Sequence, residues 1–434
     1  MYIPFINGEY IRNKGVYSMR NVKNFKSALV CAMVGDSFGW VTEFSENPWF
    51  KKNVELPVKG LMDWKRQTGG RWYRHSEIVH KGEYSDDTQL ILATLRSLKY
   101  NNWFEYLAFV EFPLWTLYAR GAGRACKAQA ETLSKGKYPW KVDGDKLQKY
   151  FESGGDGGAM RILPHLFKYA DDREQLLETS LKNTLLTHGH ENSMLGSLLY
   201  MDALYCVCNE VSKEDLIDTL LSNLHEYPSI IEKVVRETIG YIEFNRVSVL
   251  MDNMINKLEF IRKHLESSTE QVIKELCINL GSRGAAIDNA VASIYLYLKY
   301  DNPYQAIFDA SNTMYCDTDT LASMSGALLG LDRTVEELPE WFTSVADYEV
   351  AMEMVDELAD AESTNLFDRC VATKLKERIF NVNIGDSIAI SGLGEIRVCE
   401  ENLLEALVKN IKVSSRTIRI NNGQKIYVKK ISKA

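Results

Sequence analysis

Residues 84–98 read YSDDTQLILATLRSL, and the folding of this stretch decides how the rest of the chain is read. Ile91, Leu92, Leu95 and Leu98 recur at i, i+1, i+4 and i+7. That is one apolar stripe of an α-helix, not the alternation of a strand. The helix then starts at Ser85, Asp86, Asp87 and Thr88. One side-chain oxygen at such a start is routine, because it accepts a hydrogen bond from an unpaired backbone N–H of the first turn. Four exceed what a cap needs. The same surplus recurs at 317–320, where DTDT leads into LASMSGALLG.

The helical period continues on both sides. Leu176, Leu177, Leu181, Leu185 and Leu186 form a second stripe, Val291, Ile294, Tyr295 and Leu298 a third, and Ile230, Ile231, Val234 and Val235 begin another. Nine prolines interrupt all of this, and glycine clusters mark the loops: RQTGGRW at 66–72, ARGAGRA at 119–125, ESGGDGGAMR at 152–161 and GSRG at 281–284. We expect an all-α body over residues 22–376, without a clear alternating strand, behind an N-terminal arm at 1–21. The character changes at 377–434. IFNVNIGDSIAISGLGEIRV alternates β-formers with glycine turns, and RTIRINNGQKIYV carries an Asn-Gly hairpin signal. Between them, Glu401 to Lys409 is expected to form one short helix. Residues 371–434 hold 12 Lys and Arg against 6 Asp and Glu, so a small basic β-rich module follows an acidic helical body. Its bland role is a stabilising or dimerising appendage.

Composition bounds the function. The 434 residues, 45% hydrophobic and 25% charged, suit an ordinary globular protein with room for one large and one small domain. A net charge of −8 argues against a general nucleic-acid binder, leaving only the basic C-terminal module as a possible nucleic-acid contact. The eight cysteines form no CxxC pair and no zinc spacing, and are read as reduced core thiols. The N-terminus lacks the pattern of a secretory signal, and no apolar run reaches the length of a membrane span. A cytoplasmic protein without membrane contact is expected.

Asp86, Asp87, Asp317 and Asp319 bring four negative charges, with Ser85 and Thr320 adding neutral oxygens. Such charges, if adjacent, cannot all stay ionised without compensation. A hard divalent cation supplies it, and Mg²⁺ takes carboxylate, hydroxyl and water oxygens. The alternative is that each cluster caps its own helix and the two never meet. A third acidic feature is GDSFGWVTE at 35–43, where a small apolar helix (Ala28, Leu29, Val30, Ala32, Met33) is expected to end and deliver Glu43 a few residues beyond two glycines.

Taken in order, GDSFGWVTE, YSDDT, GDGGAMRILP, LLTHGH and DTDTLASMSGALLG resemble the ADP-ribosylglycohydrolases, over roughly residues 22–335. The resemblance implies an all-α fold with a central cleft holding two Mg²⁺ ions, with Ser85, Asp86, Asp87, Asp317, Asp319 and Thr320 as ligands. Glu43, Asp87 and Asp319 would carry the catalysis. Gly155, Asp156, Gly157, Gly158, Ala159, Met160 and Arg161 match the loop that holds ADP-ribose, and His188 a histidine lining the same cleft. The chain departs from the pattern in four places. Ser85 stands where Thr is usual, Asp156 where Asn is usual, Tyr315 and Cys316 where glycines precede DTDT, and the basic tail lies outside the common core.

The implied reaction is hydrolysis of the glycosidic bond between ADP-ribose and a modified acceptor, a protein side chain or nucleic acid, through an oxocarbenium-like state. Glu43 is then either a proton acceptor or a gate. Gly157 and Gly158 offer N–H donors to the diphosphate if they open a helix. Arg161 is either a phosphate donor or a partner inside the fold, and His188 either lines the cleft or ends its helix. Gly121, Gly123 and Arg124 form a flap or a plain turn. Tyr73, Trp103 and Trp115 are the aromatics considered for stacking a base. The competing reading is a protein of the same fold that binds ADP-ribose or neutralises a toxin with little catalysis.

Overall fold

The computed structural model describes residues 17–43, 45, 48–68, 75–240, 244–277, 284–314, 316–360, 378–383, 385–390, 394–397, 401–408, 411–419 and 425–433. Among them α-helix dominates, and the fold is all-α with a small β-rich C-terminal part. The first helix, Tyr17–Glu43, begins within the expected N-terminal arm and runs 27 residues through both Gly35 and Gly39. The expectation that it stops near these glycines is corrected, because they serve packing instead. A Cβ at Gly35 would stand 2.3 Å from the Ala322 carbonyl oxygen, and one at Gly39 2.3 Å from that of Thr318. From the other side, a Cβ at Gly326 would stand 2.6 Å from the Cys31 oxygen, and one at Gly330 2.6 Å from the Ala28 Cα.

Each glycine pair is spaced i, i+4, so it occupies one helix face. Helix Thr318–Gly330 therefore lies antiparallel to Tyr17–Glu43, backbone against backbone. This brings the C-terminal end of one, with Glu43, to the N-terminal end of the other, with Asp317 and Asp319.

Helix Pro303–Asn312 packs on both members of this pair. On the other side, Ala286–Lys299 packs between Thr318–Gly330 and Glu191–Cys208, which in turn rests on Arg173–Leu185. The helix Asp86–Ser97 forms as its stripe requires, but it is buried on every face. Its Arg96 is accommodated by Glu111, which accepts from Nε and Nη2 at 2.9 and 2.7 Å. Five of the six described cysteines are buried, and none of the six is in a disulfide; Cys370 and Cys399 lie outside the described residues. Among the described residues, no helix is long and apolar enough to cross a membrane.

Two expectations fail. Strands β1 (Trp64–Thr68) and β2 (His75–Val79) form an antiparallel hairpin inside the supposedly strand-free body. WKRQT and HSEIV are too short and polar to show a period. The pair is held at its base, where Trp64 and Val79 are buried and Trp64 meets the Trp40 ring edge-on at 5.2 Å. At the other end, Glu401–Val408 is strand β5, not a helix. It pairs with β6 (Ile411–Arg419) from Glu401↔Ile418 to Val408↔Ile411, and β6 pairs with β7 (Lys425–Lys433). Pairing with a neighbouring strand overrides the helical propensity of ENLLEALV. The strands β3 (Ser387–Ile390) and β4 (Gly394–Arg397) pair as the glycine turn suggested. The expected boundary at 376/377 falls outside the described residues. Ile379 and Ile388, just beyond it, are buried in the same apolar cluster as Trp103, Phe109 and Trp115.

Candidate active site

Asp36 sits on the first helix, seven residues and so about two turns before Glu43. It is fully buried, and its two oxygens accept the backbone N–H groups of Ser85 (2.9 Å) and Thr88 (2.8 Å). Ser85 Oγ accepts the Asp87 N–H at 3.2 Å and is the N-cap. The capping work at this start is thus done by Asp36 and Ser85. The Asp86 and Asp87 carboxylates are left for something else. Among the described residues, Asp87 Oδ2 is buried and has no hydrogen-bond partner, a costly arrangement unless a cation completes it.

At the other start, Asp317 is the N-cap residue but makes no side-chain cap bond, and Asp319 Oδ1 accepts the Thr320 N–H at 3.0 Å. The buried Thr318 hydroxyl donates to the Gly39 carbonyl at 2.8 Å, which pins this start to the first helix. One oxygen each from Glu43, Asp317 and Asp319 lies within 4.8 Å of the others. With small side-chain adjustment this spacing suits one cation with ligands at about 2.1 Å. Together with the orphaned Asp87 oxygen, these hard oxygen donors fit a divalent metal.

The electrostatics join the two starts into one field. Burial, with Asp36 adding and Lys127 opposing, pushes Asp86 up to about 7. Burial followed by the charge of Asp319 holds Asp87 well above the ordinary carboxylate range. Asp317 is raised by burial, Asp156 and Glu43, and Asp319 by burial and Asp317. Glu43 is raised by burial, Asp319 and Asp86, with Arg66 opposing. The two clusters, far apart in sequence, do meet.

The 155–161 loop is built differently from the expectation. It opens no long helix, only a 3₁₀ turn at Ala159–Arg161. A Cβ at Gly157 would stand 2.6 Å from Cys126 Sγ and 2.8 Å from His188 Cε1, and one at Gly158 2.5 Å from Thr184 Cγ2. These two glycines admit protein, not ligand, on their Cβ sides. Arg161 is fully buried over the Phe112 ring; it donates to Asn183 Oδ1 (2.9 Å), to the Asn183 carbonyl (2.7 Å) and to the Gly157 carbonyl. It braces the loop from inside the fold. His188 is buried beneath the loop, with Nδ1 2.8 Å from Thr187 Oγ1, and burial and Arg161 push it down to about 3, so it is neutral. Ala159 and Met160 are buried core residues.

Gly121, at φ +81, packs beside Asp86 and Ser85, so the ARGAGRA turn borders the site. Trp103 and Trp115 are core, and Tyr73 and Tyr315 lie outside the described residues. The sequence reading missed Asp36, although its i, i+7 relation to Glu43 puts both on one helix face. It also missed Asn289, which donates to Asp156 Oδ2 and carries no motif of its own.

The family model for ADP-ribosylglycohydrolase matches residues 19–366. The ADP-ribosylhydrolase ARH3 of Xenopus tropicalis is 23% identical over 358 residues, which covers 78% of this chain and 95% of that protein. The ARH3 of Homo sapiens is 22% identical over 352 residues, covering 76% and 91%. A solved ADP-ribosylglycohydrolase-related protein complex shares the fold at a TM-score of 0.53 and 15% identity, over 79% of this chain and 99% of that one. With its carboxylates gathered where two helix starts meet, the chain belongs to the ADP-ribosylglycohydrolase family and is a glycosidic-bond hydrolase.

Proposed function

We propose that this chain is a Mg²⁺-dependent hydrolase that releases ADP-ribose from a modified macromolecular acceptor, reversing ADP-ribosylation. The observation that carries the proposal is the convergence of Glu43, Asp317 and Asp319 oxygens, with the orphaned Asp87 carboxylate within the electrostatic reach of Asp319 and Asp317. Ser85, Asp86, Asp87, Asp317, Asp319 and Thr320 would hold two Mg²⁺ ions. When bound, these ions supply positive charge that orients the ribose hydroxyls and acidifies water. Glu43 takes a proton from the attacking water at its carboxylate as the bond to ribose C1″ breaks. Asp36 fixes the Asp86 start so that its carboxylates keep their aim. The loop from Gly155 and the neutral His188 wall the ADP-ribose side, with Arg161 bracing that wall. The acceptor is a protein side chain or, through the basic module, nucleic acid.

We divide the chain into a catalytic body at 22–376 and a basic module at 377–434, whose first residues anchor on the body through Ile379 and Ile388. The described cysteines, none in a disulfide, support a cytoplasmic setting. Incubation with arginine-, serine- and nucleotide-linked ADP-ribosyl substrates, with Mg²⁺ or EDTA, tests the proposal by free ADP-ribose. Release that needs Mg²⁺ is expected for at least one acceptor. Equal release in EDTA would refute the metal reading, and no release from any acceptor would refute the hydrolytic one.

A further inference from the structure

Asp156 stands in the glycine loop, yet it lies against the acidic cluster at Asp317. Its backbone N–H donates to the Gly284 carbonyl at 2.9 Å, and Gly155 forms a bridge with Ala285. Its side chain is 7% exposed, and its Oδ2 is held by the Asn289 amide. Gly284, at φ +75, shows where the carboxylate points. The Cβ position that Gly284 lacks lies 2.5 Å from Asp317 Oδ2 and 3.4 and 3.5 Å from the two Asp156 oxygens. Both carboxylates therefore border the same gap, and only a glycine fits beside them. Among the described residues no cationic side chain contacts Asp156; its hydrogen-bonding side chains are the neutral Asn289 amide and the Asp317 carboxyl.

We propose that Asp156 is a positioning residue of the metal centre, a carboxylate lent by the substrate loop that steadies Asp317 when Mg²⁺ is bound. The inference rests on the metal reading above. A buried carboxylate beside Asp317 is a liability in the metal-free protein, because the two repel in a poorly solvated gap. With a divalent cation present the same charge is favourable, and its amide clamp fixes the orientation as an outer partner does for a metal ligand. Loop position and metal occupancy are coupled through this one side chain.

The Asp156→Asn substitution separates this role from simple packing, since it keeps the size and the bond to Asn289 while deleting the charge. Melting of the full chain in EDTA and in Mg²⁺, with calorimetric Mg²⁺ titration, provides the readout. The expected result has opposite signs. The melting temperature in EDTA rises by about 1–4 °C, while Mg²⁺ affinity falls about 10–100-fold, so the Mg²⁺-induced gain narrows. Asp156→Ser should give the same pattern if the amide packs poorly. Unchanged Mg²⁺ affinity, or equal loss of melting temperature with and without Mg²⁺, overturns the inference and leaves Asp156 structural. A wild-type chain that binds no Mg²⁺ would refute the metal reading itself, and with it this inference, so the two failures are distinguishable.

Discussion

The Asp86 start and the Asp317 start look alike as sequence, SDDT against DTDT, and they are finished in different ways. At the first, Asp36 from another helix and Ser85 take the backbone donors of the opening turn. At the second, no side chain caps through Asp317, and the threonine between the aspartates ties down to Gly39. One start is braced by hydrogen bonds to a buried carboxylate, the other by backbone contact between helices. Both devices relieve the aspartates of most of the capping, Asp319 keeping one bond to the Thr320 N–H, and leave carboxylate charge where the two starts meet. A helix start can thus be acidic for its own sake or for a ligand's, and the bookkeeping of N–H donors tells the two apart.

The sharpest way to break the comparison is Asp319→Ala. It should abolish release of ADP-ribose and remove the Mg²⁺-induced gain in melting temperature, since bound ligand stabilises only what it binds. Normal Mg²⁺ binding by calorimetry would show that the second start is not the metal side. Next comes Glu43→Gln, which we predict lowers kcat by about 10²–10⁴-fold while ADP-ribose affinity holds. Near-normal turnover would return Glu43 to a structural role.

Asp36→Asn probes the braced start alone. We expect a loss of about 1–3 kcal/mol in stability and weaker Mg²⁺ binding, measured by melting and titration. A variant as stable as the wild type would mean that the Ser85 and Thr88 donors find other partners. A smaller effect comes from pH. Asp86 and Asp156 reach about 7 in the folded chain, against about 3.9 when unfolded. Groups raised in this way contribute stability fully below the unfolded value and lose it as pH rises through the folded one. In EDTA the melting temperature should fall from about pH 5 to about pH 8, and Mg²⁺ should flatten that fall. A metal-free curve that rises over this window contradicts the buried carboxylate cluster. Smallest is Ser85→Ala, which should cost about 1 kcal/mol as a lost cap, with Ser85→Thr close to neutral in melting.

Much of this was legible in the sequence because it rests on local rules. The stripe Ile91, Leu92, Leu95 and Leu98 announced a helix, and the excess of oxygens at Ser85–Thr88 and Asp317–Thr320 announced a site. What stayed hidden depends on contacts across the fold. Asp36 reads as one acid in a small-residue run until the Ser85 and Thr88 N–H groups arrive beside it. Gly157 and Gly158 read as a phosphate cradle, whereas Cys126, His188 and Thr184 occupy the space a side chain would need. Arg161 offered a charge for phosphate but is engaged by Asn183. In the C-terminal part, ENLLEALV has helical residues and takes a strand's form because Ile411–Arg419 pairs with it.

The glycine rail between the first helix and Thr318–Gly330 also works as a strain gauge. Helix backbones in direct contact cannot take up error in a cushion of side chains, so any slip along the rail reaches its end undiminished. A slip of one residue is about 1.5 Å, far beyond the roughly 0.2 Å tolerance of a metal–ligand distance. Gly330 lies eleven residues from Asp319, about 16 Å along the helix, and a methyl there would meet the Ala28 backbone at 2.6 Å. Catalytic competence is therefore distributed along the whole rail, and small residues far from any substrate are as answerable for it as the aspartates at its tip.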